Sequence, residues 1–149
     1  MNVVLRRGTI ADAAAIRGLT RAAYPKWVPR TGREAKPMTA DYDHAVRHHR
    51  FDLLEIDGTL AALIETIEQP DHLLIENVAV LPERQGQGLG RRLLALAEDV
   101  GRAQGYGEIR LYTNKLFAEN IELYRRLGYR IDREEQNERG TAVHMSKRL

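Results

Sequence analysis

Between Leu73 and Val100 the chain passes from an apolar strand through a glycine-rich turn into an amphipathic helix, a succession that few folds accommodate. Leu74, Glu76, Val78 and Val80 fall on one side of a period-2 pattern, and Leu73, Ile75, Asn77 and Ala79 fall on the other. Both sides are largely apolar, so the strand belongs in the middle of a sheet; the polar Glu76 and Asn77 then need a reason. Beyond the turn, Leu89, Leu93, Leu96, Ala97 and Val100 recur at helical spacing, with Gly105 after the last of them. At the junction Gly86, Gly88 and Gly90 remove three side chains, so backbone N–H groups can approach an anion while the helix start adds partial positive charge. Phosphate is the natural guest. A Walker A loop would need Gly-Lys-Ser/Thr where the chain has Leu89-Gly90-Arg91, and a dinucleotide fingerprint begun at Gly86 would need glycine in place of Arg91. Neither pattern is met, and a tight strand-to-helix connection without a ligand is the plain alternative.

The pattern Gln85-x-x-Gly88-x-Gly90 between strand and helix resembles the GNAT superfamily of acyl-CoA-dependent N-acyltransferases. Downstream, residues 118–129 (Ala-Glu-Asn-Ile-Glu-Leu-Tyr-Arg-Arg-Leu-Gly-Tyr) are similar to that family's second motif helix, with its Asn, Leu-Tyr and Gly-aromatic exit. The likeness is strong from Leu73 to Leu149 and weaker over the first fifty residues. It implies a three-layer α/β fold: a mixed, twisted, mostly antiparallel sheet of six to seven strands flanked by about four helices. It also implies acetyl-CoA as co-substrate, no metal, and direct attack of a primary amine on the thioester.

Site residues follow from the same resemblance. The acyl carbonyl would meet a backbone N–H among Val78, Ala79 and Val80. Pyrophosphate would rest on Gln85, Gly86, Gln87, Gly88, Leu89, Gly90 and Arg91, with Arg84, Arg91 or Arg92 available to the adenosine phosphate. Asn120 and Tyr124 share a helical face, so one can hold the pantetheine arm while the other offers its hydroxyl to the leaving sulfur. Tyr124 is then the general acid, or else a core tyrosine beside Leu123 and Leu127. Glu76 is the candidate general base, acting directly or through water, and burial would raise its pKa; alternatively it pairs with an arginine or stabilises a local bulge. Asn77 is read as structural.

A chain of 149 residues is long enough for one domain over 1–149 with its own core, and no linker divides it. With no cysteine, disulfides, thiolate catalysis and cysteine zinc sites are excluded, which fits a reducing cytoplasm. The N-terminal apolar run is too short for a signal peptide, and no segment approaches a membrane span. A net charge of +2, from 23 basic against 21 acidic residues, gives no polybasic tract, so neither nucleic acid nor membrane is an expected partner. The expected partner is a small-molecule or protein amine, and a homodimer is compatible with the reading.

The remaining elements are a strand over Val3 to Arg6, a helix begun at Thr9 or Asp12 and ending near Tyr24-Pro25, and a Pro-rich loop to Pro37. Trp27 in that loop either anchors it to the core or lines the acceptor pocket. A second helix starts at Thr39 or Asp41 and carries His44 and His48 at i and i+4, a solvated pair with no third metal ligand. The Asp57-Gly58 turn predicts a hairpin, Glu108 to Tyr112 a buried strand, and Tyr129 to Arg133 and Thr141 to Ser146 two strands around a polar turn from Gln136 to Gly140. By resemblance, the acceptor pocket is built from Tyr24 to Met38 and from Arg133 to Ala142. The rival reading from another class is a non-catalytic acyl-CoA-binding sensor, which Tyr124 and Glu76 argue against.

Overall fold

Asp57 and Gly58 adopt φ of 52° and 83°, the left-handed pair that a two-residue hairpin turn demands. They join β2 (Arg50–Ile56) to β3 (Thr59–Glu68) in an antiparallel ladder, and β3 turns at Pro70 into β4 (Leu73–Val80). The computed structural model describes residues 2–25, 28–32 and 36–149. In them, β1 (Val3–Arg7), β5 (Glu108–Asn114), β6 (Arg130–Asn137) and β7 (Gly140–Arg148) complete a sheet of order β1-β2-β3-β4-β5-β7-β6. Every neighbouring pair is antiparallel except β4 and β5.

Six helices are described: α1 (Ala13–Ala23), α2 (Val28–Thr31), α3 (Lys36–Thr39), α4 (Tyr42–His48), α5 (Leu89–Ala103) and α6 (Ala118–Arg126). Both candidate starts of the first helix are used. Thr9 caps a 3-10 turn over Ile10–Asp12 in a reciprocal capping box, and Asp12 then leads into α1 while its carboxylate accepts two hydrogen bonds from Arg6. Asp41, not Thr39, caps α4, accepting from the His44 N–H at 3.2 Å. The expected Pro-rich loop contains α2 and α3, four residues each, too short to show any period in the sequence. Trp27 lies outside the described residues.

Two cores lie on opposite faces of the sheet. Leu93, Leu94, Ala97 and Val100 of α5 pack on Ile64, Leu73, Ile75 and Leu111, while Ala13, Ile16 and Leu19 of α1 with Tyr42 of α4 pack on Phe51, Leu53, Leu63 and Ala79. This is the expected three-layer arrangement, with about four substantial helices. No helix among the described residues is long and apolar enough to cross a membrane.

Two expectations about strands are corrected. The stretch Gln136 to Gly140 is mostly ladder, since β6 runs to Asn137 and β7 starts at Gly140, leaving Glu138 and Arg139 as the turn. All of β6 is exposed at the sheet edge; its polarity reports the lack of a covering layer rather than the lack of a strand. In β4, strict alternation fails at Glu76. Asn77 pairs with Glu65 and Ile75 with Thr66, so Glu76 is an extra residue with no partner on β3. This bulge swaps the faces. Leu73 and Ile75 sit in the α5 core, but beyond the bulge it is Val78 and Val80 that pack there, while Ala79 joins the α1 core.

Candidate active site

Past the bulge, β4 and β5 part company. Their parallel pairing covers only Leu73 with Ile109, Leu74 with Arg110 and Ile75 with Leu111, although β4 continues to Val80 and β5 to Asn114. A wedge-shaped cleft of about 650 Å³ opens between them, within the roughly 300–1,000 Å³ typical of small-molecule sites.

One wall is backbone. The Leu81 N–H donates to Ala61 on β3, and alternation along the strand turns the Ala79 amide to β3 as well. The N–H groups of Val78 and Val80 therefore face the cleft, which removes Ala79 from the three amides considered for the acyl carbonyl. Carbonyls on this edge are already taken: Val80 C=O accepts from Gln85 Nε2 at 3.1 Å, and Val78 C=O from the Tyr24 hydroxyl at 2.8 Å.

The strand leads through a 3-10 turn, Pro82–Arg84, to the glycines. Gly86 and Gly88 have φ of 79° and 81°, left-handed values that strain any other residue, and a Cβ on either would point into open space. Gly90 differs. Its φ is ordinary, and an added Cβ would only touch Val80 Cγ2 at 3.9 Å, so the fold itself does not require glycine there. α5 begins at Leu89 without a side-chain cap, leaving first-turn N–H groups turned to the same space. Arg84 and Arg91 line the cleft, whereas Arg92 and the exposed Gln87 lie outside the lining.

Side chains build the other walls. Asn120 and Tyr124 of α6 both line the cleft, as their i, i+4 spacing requires. The Tyr124 ring packs edge-on against Tyr129 with centroids 5.9 Å apart, and its hydroxyl makes no hydrogen bond among the described residues. Burial pushes its pKa up to about 12, so the phenol keeps its proton at neutral pH. Glu76, its side chain 17% exposed, accepts a hydrogen bond from the Tyr112 hydroxyl at 2.8 Å and pairs with Lys36 Nζ at 3.1 Å. Lys36 in turn donates to the Tyr112 hydroxyl at 2.9 Å. Burial raises the Tyr112 pKa, so this hydroxyl too is a donor at neutral pH.

Beneath this group lies a polar floor. Asn77 Oδ1, 2.7 Å from the Tyr24 hydroxyl, shares that group's single proton with the Val78 carbonyl, and Asn77 donates to the Tyr42 hydroxyl at 3.3 Å, the structural role expected of it. Next to it in the sheet, buried Glu65 meets His49 Nδ1 at 2.6 Å; burial raises the Glu65 pKa and the histidine opposes the rise. Both segments expected to shape the acceptor pocket reach the cleft, as Tyr24, Lys36 and Pro37 and as Asn137, Arg139, Gly140, Thr141 and Ala142.

Sequence reasoning missed Tyr24, Lys36 and Tyr112 as functional candidates. Tyr112 alone had a signal, since an aromatic with a polar tip flanked by Leu111 in a buried strand must find a partner for its hydroxyl. Among the described residues no cluster of three or more metal-ligating side chains occurs, and His44 and His48 stack with ring centroids 4.2 Å apart on a helix surface.

The family model described as Acetyltransferase (GNAT) family matches residues 14–129. The chain is 35% identical to mouse N-alpha-acetyltransferase 80 over 71 residues, 48% of this chain and 21% of that protein. It is 36% identical to streptothricin acetyltransferase of Streptomyces lavendulae over 75 residues, 49% of this chain and 40% of that protein. It thus spans well under two thirds of either relative. In fold it resembles the PaiA N-acetyltransferase of Thermoplasma acidophilum, solved in complex with coenzyme A, at a TM-score of 0.82 and 20% identity, each chain fully covered.

Proposed function

The chain belongs to the acetyltransferase (GNAT) family, and from that premise we propose that it is an N-acetyltransferase carrying an acetyl group from acetyl-CoA to a primary amine. The observation that carries this reading is the opening of the sheet at the Glu76 bulge, which presents the Val78 and Val80 N–H groups beside the glycine turn and opposite Tyr124. A pantetheine arm laid along that edge would supply the partner that β5 withholds. Pyrophosphate fits the space in front of Gly86, Gly88 and the start of α5.

Acetyl-CoA supplies an acetyl group activated as a thioester; the protein positions it and moves protons. The Val78 or Val80 N–H donates to the acyl oxygen as charge builds on it. Glu76 takes a proton from the acceptor ammonium, and its bond from Tyr112 fixes the carboxylate while that happens. Tyr124 delivers a proton to the departing sulfur. Its raised pKa is no obstacle in that setting, because the burial that disfavours a phenolate disfavours a free thiolate by the same mechanism.

Adding acetyl-CoA should raise the melting temperature with concentration, corresponding to about 2.7 kcal/mol at a hundredfold excess over Kd, while ATP and NAD do much less. Equal shifts from all three would remove the site assignment. Thiol release across an amine panel then tests turnover, and stabilisation without release from any amine would favour a non-catalytic sensor instead.

A further inference from the structure

The acceptor side of the cleft holds an amine of its own. Lys36 opens α3, and its Nζ lies 2.9 Å from the Tyr112 hydroxyl and 3.1 Å from the Glu76 carboxylate. An acceptor nitrogen must come within hydrogen-bond reach of its base before it can give up a proton, and Lys36 already has. Lys36, Glu76, Val78 and Tyr124 line one continuous cleft, so the same space that would admit an outside amine connects this one to the thioester wall. The Lys36 side chain is 55% exposed and held at its tip. The other lysines among the described residues are placed differently: Lys115 pairs with Glu134 and Lys147 with Glu98, and neither lines the cleft.

We propose that Lys36 is a self-acetylation site, taking the acetyl group onto its ε-amine when no outside amine occupies the cleft. This rests on the acetyltransferase reading with Glu76 as base. Glu76 takes one proton from the ε-ammonium, the neutral nitrogen forms an N–C bond to the acetyl carbon, and the C–S bond breaks. The thiolate takes a proton from Tyr124, whose hydroxyl is replenished by the second proton lost from nitrogen. The products are Nε-acetyl-lysine, coenzyme A thiol and one proton released from Glu76; nothing is oxidised or reduced. The Tyr112 hydrogen bond, reinforced by the Glu76 charge, raises the Lys36 pKa, so the amine rests as ammonium until its proton is taken. Acetylation removes that charge, and Glu76 keeps only its bond from Tyr112.

The test is incubation of the protein with acetyl-CoA and no added amine, followed by intact mass and peptide mapping. The expected result is one acetyl group on Lys36, formed about tenfold or more faster than on Lys115 or Lys147, because of these three Lys36 alone lines the cleft and can react within its own site. Its rate constant should not depend on protein concentration; Lys36→Arg should abolish it and Glu76→Gln should slow it. Even acetylation of these three lysines, or a rate rising with protein concentration, overturns the proposal. Turnover of outside amines with Lys36 unmodified overturns it too, yet leaves the acetyltransferase reading standing. Failure of that reading looks different: no stabilisation by acetyl-CoA and no thiol release with any amine.

Discussion

The two sides of the cleft are made of different material. On one side, β4 and the turn into α5 offer main-chain groups: two outward amides, glycines with nothing in front of them and an uncapped helix start. On the other, Tyr24, Lys36, Tyr112 and Tyr124 come from four separate segments to meet the Glu76 carboxylate that β4 extends among them, and these five act through their side chains. A main-chain surface suits a ligand that never changes, such as the acyl carrier. A side-chain surface is where proton transfer and acceptor choice can vary without disturbing the fold.

If that division is right, changes on the side-chain wall should reduce turnover and spare acetyl-CoA binding, while changes on the main-chain wall should do the reverse. The largest effect is expected from Glu76→Gln, about 100- to 10,000-fold in turnover with a flattened low-pH limb of the rate profile. An unaltered profile would hand the base role to another group. Next comes Tyr124→Phe, expected to lower turnover by about 10- to 1,000-fold at nearly constant melting temperature and acetyl-CoA affinity. The hydroxyl has no hydrogen-bond partner among the described residues, so its loss should not carry the roughly 1 kcal/mol penalty of a broken buried bond. Normal turnover in that variant would return Tyr124 to the core.

Smaller effects separate the glycines. Gly90→Val should weaken acetyl-CoA binding by about tenfold, near 1.4 kcal/mol, with little change in folding stability, since the protein leaves room for the first added carbon and the ligand would not. Gly88→Ala should instead lower folding stability by about 1–2 kcal/mol, through its left-handed φ. Calorimetric unfolding alongside binding titrations on the two variants checks both. Equal behaviour would mean that all the glycines serve the turn.

The same division decides what the sequence could show. The strand, glycine turn and helix from Leu73 to Val100 are contiguous, so their periodicities and backbone demands can be read locally, and the Asp57-Gly58 hairpin is legible for the same reason. The bulge is not. Period-2 reading assumes no inserted residue, so it groups Leu73 and Ile75 with Asn77 and Ala79, although Glu76 separates their faces. Of the alternatives to a base role, Glu76 stands at a bulge and pairs with Lys36 rather than an arginine, and its place in the cleft lining leaves the base role to be tested. The contact between Glu76 and Tyr112 depends on a parallel register that α5 interrupts, and nothing local encodes which residue of β5 will lie opposite. Lys36 arrives from a four-residue helix with no period to reveal it.

The seam between β4 and β5, three residue pairs long, is the shortest in the sheet. Two well-laddered leaves, β1 to β4 and β5 to β7, meet through three residue pairs and the helix α5 laid along their joint. A guest inserted above Ile75 and Leu111 would extend that seam with hydrogen bonds the chain lacks by itself, so it would work as a splint as well as a reactant. Amide exchange at Val78 and Val80, and breathing of one leaf against the other, should then report on occupancy, which ties the rhythm of opening to the arrival and departure of the carrier.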